Sequence, residues 1–282
     1  MGSIRPWPSA SPSRRDHEGV AWTVLLPFYN ERDVLPQTLA SLAAMTTRFR
    51  LILIDNGSTD GGAAVAQAWI GERFPDAILI TEPRPGKTAA LAAGLRHACT
   101  PYLATCDADT WYPPEYLAEA ERLLAEDPEA HGCGAYFVDD PGCPRNRALS
   151  ALHWLGAATL LPRQTHTGGA GQVFRTESLR RVGGFDPARW PYVLEDHEIG
   201  QRVLKLGRVR YGRRFWCAPS PRPRDRGSVG WTLAERLLYH FTPERAKDWY
   251  FYDFLGPRLA RRGLLSHRLR ERSHEDPLRA AA

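Results

Sequence analysis

The amino-acid sequence predicts an α/β fold in which a mostly parallel sheet carries helices on both faces. After residue 20, apolar runs alternate with helical segments in the order βαβαβαβ. The first run, residues 21–27, is continuously apolar, as a strand buried on both faces should be, and further strands are predicted over residues 50–55, 77–81 and 101–106. Ligands of such sheets bind outside the carboxyl ends of the strands, so a site is expected there.

The helical segments follow polar turns that supply capping residues. Asn30 is predicted to cap the first helix and Asp60 to begin the second. A third helix is predicted over residues 86–98, with Lys87 at its start. The second half of the chain is less regular, and its predicted elements are a helix over 113–126, a strand over 132–138, a Gly-rich bend and short strand over 168–175, and a helix over 195–207 closed by Gly207.

Composition favours one large domain, or a domain with an appendage. The chain has 282 residues, 43% of them hydrophobic, and no apolar run long enough to span a bilayer. The net charge of +5 favours an ordinary solvated surface over nucleic-acid binding, and the alternative is an anionic substrate or an anionic membrane. The five cysteines include no CxxC pair, which fits reduced thiols in a cytoplasmic protein.

Polar residues gather where the predicted parallel strands end. Asn30 and Glu31 follow the first strand, Asp55 ends the second, and Asp107 and Asp109 follow the fourth. Residues i and i+2 of an extended segment face the same side, so the last pair can reach one cation. The residues alone leave two alternatives open, a metal-binding pair or a turn before Pro113. A second acidic pair, Glu195–Asp196, likewise fits a catalytic site or a helix N-terminus.

Six ordered motifs carry a resemblance to a known family. Over residues 21–217 the chain resembles family 2 glycosyltransferases, which have the GT-A fold with a Rossmann-like sheet. The motifs are "PFYNE" (27–31), "IDNGSTD" (54–60), "RPGKTAALAAGL" (84–95), "CDADT" (106–110), "GGFDP" (183–187) and "LEDHEIGQRVLKLG" (194–207).

The resemblance implies an inverting enzyme of the hexosyltransferase type that uses a nucleotide sugar. The expected donor is a UDP-sugar, and Asp107 and Asp109 are expected to hold Mn²⁺ or Mg²⁺ against its diphosphate. His240 is a candidate third metal ligand. The resemblance also implies a set of donor-binding residues: Pro27, Tyr29, Glu31, Asp55, Lys87, Asp107, Ala108 and Asp109. Lys87 is expected to pair with the nucleotide or with Asp55, and the Asn56 amide to hydrogen-bond the nucleoside.

On the acceptor side, the resemblance makes Asp196 the general base that takes the proton of the attacking hydroxyl. Glu195 is expected to support it or to orient the acceptor. The residues expected to line the acceptor site are Gly169, Ala170, Gly171 and His197. The acceptor class stays open among a small molecule, a glycan and a lipid-linked sugar, and no nucleic-acid partner is expected.

The resemblance also divides the chain. We expect a disordered leader over residues 1–19, a nucleotide-sugar-binding half over 20–112 and an acceptor-binding half over 113–217. Residues 218–282 form a basic, aromatic and partly helical extension, and Arg222, Arg224, Arg226 and Ser228 form a loop that could close over the diphosphate. The extension either packs on the domain beside the acceptor pocket, which we favour, or touches the inner face of a membrane.

Two rival functions come from other classes of protein. A sugar-1-phosphate nucleotidyltransferase would need a Gly-rich loop with Arg and Lys after the first strand, where this chain has "PFYNERD". A noncatalytic sugar- or nucleotide-binding module would not need the acidic residues Asp107, Asp109 and Asp196. Their presence favours an enzyme.

Overall fold

The computed structural model describes residues 19–220 and 230–268. Three predictions concern segments outside these residues: most of the leader, the Arg222–Arg226 loop and the end of the extension.

A seven-stranded sheet forms the centre of the molecule and confirms the predicted α/β fold. Its strand order is β3-β2-β1-β4-β8-β6-β9. Strands β1 to β4 run parallel, β8 runs antiparallel to β4 and β6, and β9 is parallel to β6. The strands are β1 (Trp22–Phe28), β2 (Phe49–Asp55), β3 (Ile78–Thr81), β4 (Tyr102–Thr105), β6 (Ala130–Gly134), β8 (Gln172–Arg175) and β9 (Arg208–Arg210).

Helices cover both faces of this sheet. They are α1 (Leu35–Ala43), α2 (Gly62–Arg73), α3 (Lys87–His97), α4 (Tyr116–Glu126), α5 (Pro144–Leu160), α6 (Thr176–Arg181), α7 (Glu195–Leu204), α8 (Leu233–Phe241) and α9 (Gly256–Arg261). Alternation along β1 sends Leu26 into a core with α1 and α4, and Leu25 into a second core with α3 and α7. Both faces of β1, β2 and β4 are therefore largely buried, which explains their apolar character, whereas the edge strand β3 is only partly buried.

The predicted strand over residues 132–138 is wrong as one element. Its first part is β6, and its second part is β7 (Tyr136–Phe137), which belongs to a small sheet with β5 (Thr110–Trp111) and β10 (Trp216–Pro219) in the order β5-β10-β7. Between the two parts, the Ala135 N–H donates to the Gly171 carbonyl across 2.8 Å. The chain changes sheets at this residue, which brings residues 169–171 next to both sheets.

Several predicted helix boundaries are also wrong. Asn30 does not cap a helix: α1 begins at Leu35, and Asn30 has a φ of +51° while its Oδ1 accepts from the Thr59 N–H across 2.7 Å. Asp60 does accept from the Gly62 N–H, but the residue that precedes α2 is Gly61 with a φ of +87°. The helix predicted over 113–126 begins at Tyr116, and the one predicted over 195–207 ends at Leu204, before Gly207.

The extension packs its inner side on the domain. Tyr239, Tyr250 and Phe251 form a buried cluster with Trp190 and Val193, which come from the segment before α7. The buried pair Glu198–Arg202 on α7 accepts a further hydrogen bond from the Tyr252 hydroxyl. Among residues 19–220 and 230–268, no helix has both the length and the apolar character needed to cross a bilayer.

Candidate active site

The first wall of the site is the turn that follows β2. Asp55 ends this strand with 7% exposure, and its Oδ1 accepts from the Ser58 N–H across 2.8 Å. The side-chain amide of Asn56 donates to the carbonyls of Glu82 and Arg84 at 2.9 and 2.8 Å. Its Oδ1 accepts from the Gly86 N–H at 2.9 Å. Asn56 therefore holds the turn before α3, and the prediction that its amide hydrogen-bonds a nucleoside is wrong.

Three predicted donor-binding residues lie at the end of β1. Pro27 is a buried strand residue opposite Ile54 of β2, in line with the strand predicted over residues 21–27. A proline is tolerated here because the pairing of β1 with β4 ends at Leu25, so position 27 lacks a neighbour on that side. Tyr29 and Glu31 follow on the loop and are partly exposed.

Lys87 joins two acidic segments. It opens α3, and its Nζ forms an ion pair with Asp107 and lies 3.9 Å from Glu195 Oε1. The predicted pairing with Asp55 is wrong, because Asp55 turns toward Ser58 instead. Burial disfavours the charged amine, but the charges of Asp107 and Glu195 outweigh it and raise the pKa of Lys87. Lys87 is therefore a fixed positive charge between the two acidic pairs.

Asp107 and Asp109 flank a buried alanine just after β4. Ala108 is 5% exposed, and its carbonyl accepts from the Thr38 hydroxyl at 2.8 Å, which fixes the segment between the two acids. Both acids are partly exposed, and Ala108 and Asp109 lie in a turn, not in the extended segment that the sequence suggested. The Asp109 carbonyl accepts from the Ser220 N–H at 2.7 Å.

The pair fits a hard divalent cation that is shared with a diphosphate. Carboxylate oxygens are the ligands that Mg²⁺ and Mn²⁺ prefer, although Lys87 already pairs with Asp107 and competes with a cation for that carboxylate. No cluster of three His, Cys, Asp or Glu side chains suited to a metal occurs in the described part of the chain. His240 Nδ1 contacts Gln164 Oε1 at 2.7 Å, and no such cluster among the described residues joins His240 to Asp107 and Asp109, so its prediction as a third ligand is wrong. Substrate phosphate and water would complete such a shell.

Tyr112 is a site residue that the sequence reasoning missed. Its hydroxyl is fully buried, accepts from the Asp107 N–H at 2.9 Å and donates to the Ala170 carbonyl at 2.9 Å. It thereby ties the acidic pair to the Gly-rich segment on the acceptor side. Its position three residues after Asp109 was visible in the sequence, but the partner of its hydroxyl was not.

The Gly-rich segment Gly169–Gly171 is a short 3₁₀ turn pressed against the site. The Gly169 N–H donates to Asp196 Oδ2 at 3.0 Å, and its carbonyl accepts from the Thr105 hydroxyl at 2.7 Å. A Cβ on Gly169 would lie 2.8 Å from Lys87 Nζ, so any larger residue here would require the flexible end of Lys87 to move. Ala170 is buried, and its carbonyl is occupied by Tyr112.

Asp196 sits in the first turn of α7 and accepts hydrogen bonds on both oxygens. Oδ2 faces Gly169, while Oδ1 accepts from the backbone N–H of His197 at 2.7 Å and contacts its Nδ1 at 2.8 Å. Burial disfavours the charged carboxylate, but the charge and hydrogen bonds of His197 outweigh it and lower the pKa of Asp196. Asp196 is therefore ionised at neutral pH.

The pKa of Glu195 is shifted in the opposite direction from that of Asp196. Burial, opposed by Lys87 and reinforced by the charge on Asp196, raises the pKa of Glu195 to about 7. The residue before it, Leu194, has a φ of +64°, which is rare for a branched side chain. The backbone is therefore strained at the point where the two acids enter the site.

His197 joins the site to the extension. Its ring contacts Trp231 and Tyr239 edge-on, with centroid distances of 4.9 and 6.0 Å. Trp231 is partly exposed, so the extension contributes an aromatic side chain beside the predicted acceptor residues. The sequence showed that the tail is aromatic, but it did not indicate which ring reaches His197.

The fold and site together define the class. A parallel sheet with an acidic pair after β4, and a second acidic pair opening a later helix, is the arrangement expected of a nucleotide-sugar-dependent transferase. The sequence model described as "Glycosyl transferase family 2" matches residues 23–183, more than half of the chain. The chain belongs to this family.

Curated relatives agree with this membership. An uncharacterized glycosyltransferase of Mycobacterium tuberculosis (strain ATCC 25618 / H37Rv) is 36% identical over 216 residues, which cover 70% of this chain and 87% of the relative. The uncharacterized glycosyltransferase YaiP of Escherichia coli (strain K12) is 30% identical over 242 residues, which cover 76% of this chain and 57% of that protein.

Solved structures match the fold. A mannosyltransferase from Pyrobaculum calidifontis in complex with GDP-Man and Mn²⁺ aligns with a TM-score of 0.61 at 24% identity, covering 83% of this chain and 68% of that one. Residues 1–349 of TarS from S. aureus in complex with UDP-GlcNAc align with a TM-score of 0.56 at 17% identity, covering 84% and 72%. At these identities the matches concern the fold alone, and they confirm the GT-A type of sheet.

Proposed function

We propose that this glycosyltransferase moves a hexose from a nucleoside diphosphate sugar to an acceptor hydroxyl, with inversion at the anomeric carbon and a β-linked product. A UDP-sugar is the first donor to test, and a GDP-sugar the second. The observation that carries the proposal is the position of Lys87 between Asp107 and Glu195. This position supports a site in which the leaving-group side, with Asp107, and the attacking side, with Glu195, meet at the ammonium group of Lys87.

On the leaving-group side, Asp107 and Asp109 would hold Mn²⁺ or Mg²⁺, which stabilises the negative charge that develops on the diphosphate. Lys87 adjoins the same carboxylate and would add a second positive charge near the diphosphate. Tyr29, Glu31 and Asp55 surround the pocket for the nucleoside. Pro27 and Ala108 act through the backbone, since both side chains are buried.

On the attacking side, Asp196 accepts the proton of the acceptor hydroxyl. Its lowered pKa keeps it ionised but makes it a weak base, so the proton moves late, when the hydroxyl has begun to bond to the anomeric carbon. Gly169 and His197 hold the carboxylate in one orientation. Glu195, with its raised pKa, orients the acceptor or supports Asp196.

The two halves of the proposed domain meet at these contacts. Residues 20–112 carry the donor-binding groups, and residues 113–217 carry the acceptor-binding groups Gly169–Gly171 and His197. The buried Tyr112 hydroxyl bridges the halves through Asp107 and Ala170. Donor and acceptor sites would therefore keep a fixed distance, which a direct displacement requires.

A donor screen tests the proposal. The purified chain is incubated with UDP- and GDP-sugars in Mn²⁺ without an acceptor, and the release of nucleoside diphosphate is measured. We expect slow hydrolysis of one donor, and loss of both hydrolysis and donor binding when EDTA is added. Donor binding that is insensitive to EDTA would overturn the metal assignment.

Two further assays separate the rival functions. Release of pyrophosphate from a nucleoside triphosphate and a sugar 1-phosphate would indicate a nucleotidyltransferase. Tight donor binding without any turnover, even with a broad acceptor panel, would indicate a noncatalytic module. Either outcome would replace the proposed transfer reaction.

A further inference from the structure

Two helices expose apolar side chains that no described residue covers. Of the large apolar side chains that are highly exposed in the described part of the chain, six lie on α5 and α8. These six define the α5–α8 surface: Leu149 (55% exposed), Leu152 (73%), Leu160 (81%), Leu233 (74%), Leu237 (48%) and Phe241 (80%). An apolar patch of this kind usually marks a surface that meets a partner or a membrane.

Helix α8 has an unusual orientation for a surface helix. Its buried side carries Glu235 and Tyr239, whereas Leu233, Leu237 and Phe241 recur every four residues on its exposed side. An ordinary surface helix turns its apolar stripe toward the core. In α8, by contrast, Glu235 is buried and pairs with Arg262 at 2.8 Å, while the apolar residues are exposed.

Helix α5 also exposes large apolar side chains. Over its length, Pro144–Leu160, Ala151 is its buried residue, so most of the helix stands away from the core. Neighbouring contacts join the end of α5 to the end of α8: Gln164 Nε2 donates to the His240 carbonyl at 3.0 Å, and Arg163 pairs with Glu244. Leu160 and Thr242 line one cavity at this junction. The C-terminal ends of α5 and α8 therefore lie next to each other, so the exposed apolar residues of both helices extend from a common junction.

The exposed charged side chains on the two helices are positive, and the acidic Glu244 at their junction is paired with Arg163. The two helices contain one acidic residue, the buried Glu235, and they carry Arg145, Arg147 and Arg236. Beside the first turn of α8, Arg258 and Arg261 line a second cavity with Thr232 and Ala234. Apolar side chains interspersed with arginines complement a bilayer that contains anionic lipid.

We propose that the α5–α8 surface docks on an anionic membrane, with the leucines and Phe241 inserted at the level of the acyl chains and the arginines at the phosphates. A second copy of the chain fits less well, since a two-fold interface would bring Arg236 and Arg145 against like charges. The surface also adjoins the acceptor side. The chain runs from Gln164 at the junction to Gly169, which contacts Asp196, within five residues.

If the proposed transfer reaction holds, a membrane-docked enzyme would receive its acceptor at the bilayer surface, which favours a lipid-linked acceptor. The docking itself does not depend on that reaction. Its test therefore uses no sugar nucleotide and no acceptor, so that docking and transfer succeed or fail separately.

The test is co-sedimentation of the full chain with liposomes of phosphatidylcholine, with and without phosphatidylglycerol. We expect binding to the anionic liposomes that weakens with added salt, and weak binding to phosphatidylcholine alone. Leu237→Gln should weaken binding about tenfold, because one leucine loses its apolar environment. Arg236→Gln should weaken it about fivefold.

Arg214→Gln is the matched control for charge. Its side chain is 82% exposed and faces Glu119 of α4, outside the α5–α8 surface, so the loss of its charge should leave binding unchanged. Leu237→Gln is expected to fold, since it alters an exposed side chain, and circular dichroism checks this. A second variant, Phe241→Ser, should show the same loss as Leu237→Gln.

Three results would overturn the proposal. They are failure of the wild-type chain to bind anionic liposomes, equal binding to both lipid mixtures, and wild-type binding by both apolar variants. Sedimentation velocity identifies the alternative occupant. If Leu237→Gln turns a dimer into a monomer and leaves liposome binding intact, the surface is an interface between copies of this chain.

Discussion

The carboxylate of Asp196 accepts a hydrogen bond from the backbone N–H of Gly169, with 3.0 Å between the nitrogen and Oδ2. This contact joins α7 to the Gly-rich turn that lies beside Lys87. The position of the proposed base thus depends on a backbone group, and not only on its own helix. Because Gly169 lies close to Lys87, a substitution of Gly169 can disturb the site without creating a cavity in the core.

Gly169→Ala should lower turnover while changing stability little. The added Cβ would lie 2.8 Å from Lys87 Nζ, and because that atom ends a flexible side chain, Lys87 can move aside. Its displacement from Asp107 should reduce turnover by about tenfold to a hundredfold. In Gly71→Ala the Cβ meets nothing within 4 Å, so turnover should stay unchanged. Equal turnover in the two variants would contradict this account.

Lys87→Met should strengthen Mn²⁺ binding and weaken donor binding. Without the ammonium group, the Asp107 carboxylate is freer for a metal, which should raise Mn²⁺ affinity about fivefold, or ~1 kcal/mol of charge interaction. Titration calorimetry measures both affinities. Lys205→Met is the matched control, since Lys205 pairs with Asp248 on the surface. If both variants bind Mn²⁺ as the wild type does, Lys87 does not restrain Asp107.

Tyr112→Phe should destabilise the protein by about 1–3 kcal/mol, because the Asp107 N–H and the Ala170 carbonyl both lose a buried partner. Tyr116→Phe is the control. Tyr116 is equally buried, and its hydroxyl has no hydrogen-bond partner among the described residues. Its loss should cost close to nothing. Urea denaturation compares the two, and similar losses would refute the bridging role of Tyr112.

The raised pKa of Glu195 predicts a pH-dependent stability. The folded protein holds a proton on Glu195 up to about pH 7, whereas the unfolded chain releases it near the ordinary pKa of 4.5. The contribution of Glu195 to the free energy of unfolding is therefore complete below pH 4.5 and is lost as the pH rises through 7. Relative to wild type, Glu195→Gln should gain free energy of unfolding between pH 5 and pH 8, on the order of 2 kcal/mol. Parallel pH profiles of the two proteins would contradict this.

The first half of the fold could be predicted from the sequence because most of its strands are largely buried on both faces and end in polar residues. Those strand ends correctly located Asp55, Asp107 and Asp109 at one edge of the sheet. The partner of Lys87 could not be predicted, since Asp55 ends β2 and Asp107 follows β4 on either side of β1, and only the packing of α3 chooses between them.

The errors in the second half have local causes. In the run "GCGAYFV" the chain changes sheets at Ala135, directly after Gly134, and the change depends on the contact between Ala135 and Gly171, which the sequence does not indicate. Helix α5 was missed as an element because it has little buried surface, and so its apolar residues follow no core-facing period. Asn56 looked like a ligand residue, yet all its amide groups are used by the turn before α3.

The assignment of Asp196 as general base is the central claim, and Asp196→Asn tests it most directly. The change keeps the size of the side chain and removes its capacity to accept a proton. Donor affinity and release of nucleoside diphosphate are measured on the same sample. The donor is the one that the screen identifies, and the release is measured in the presence of an acceptor. We predict donor affinity close to wild type and turnover lowered by about 10²–10⁴-fold. Turnover equal to wild type would contradict the assignment.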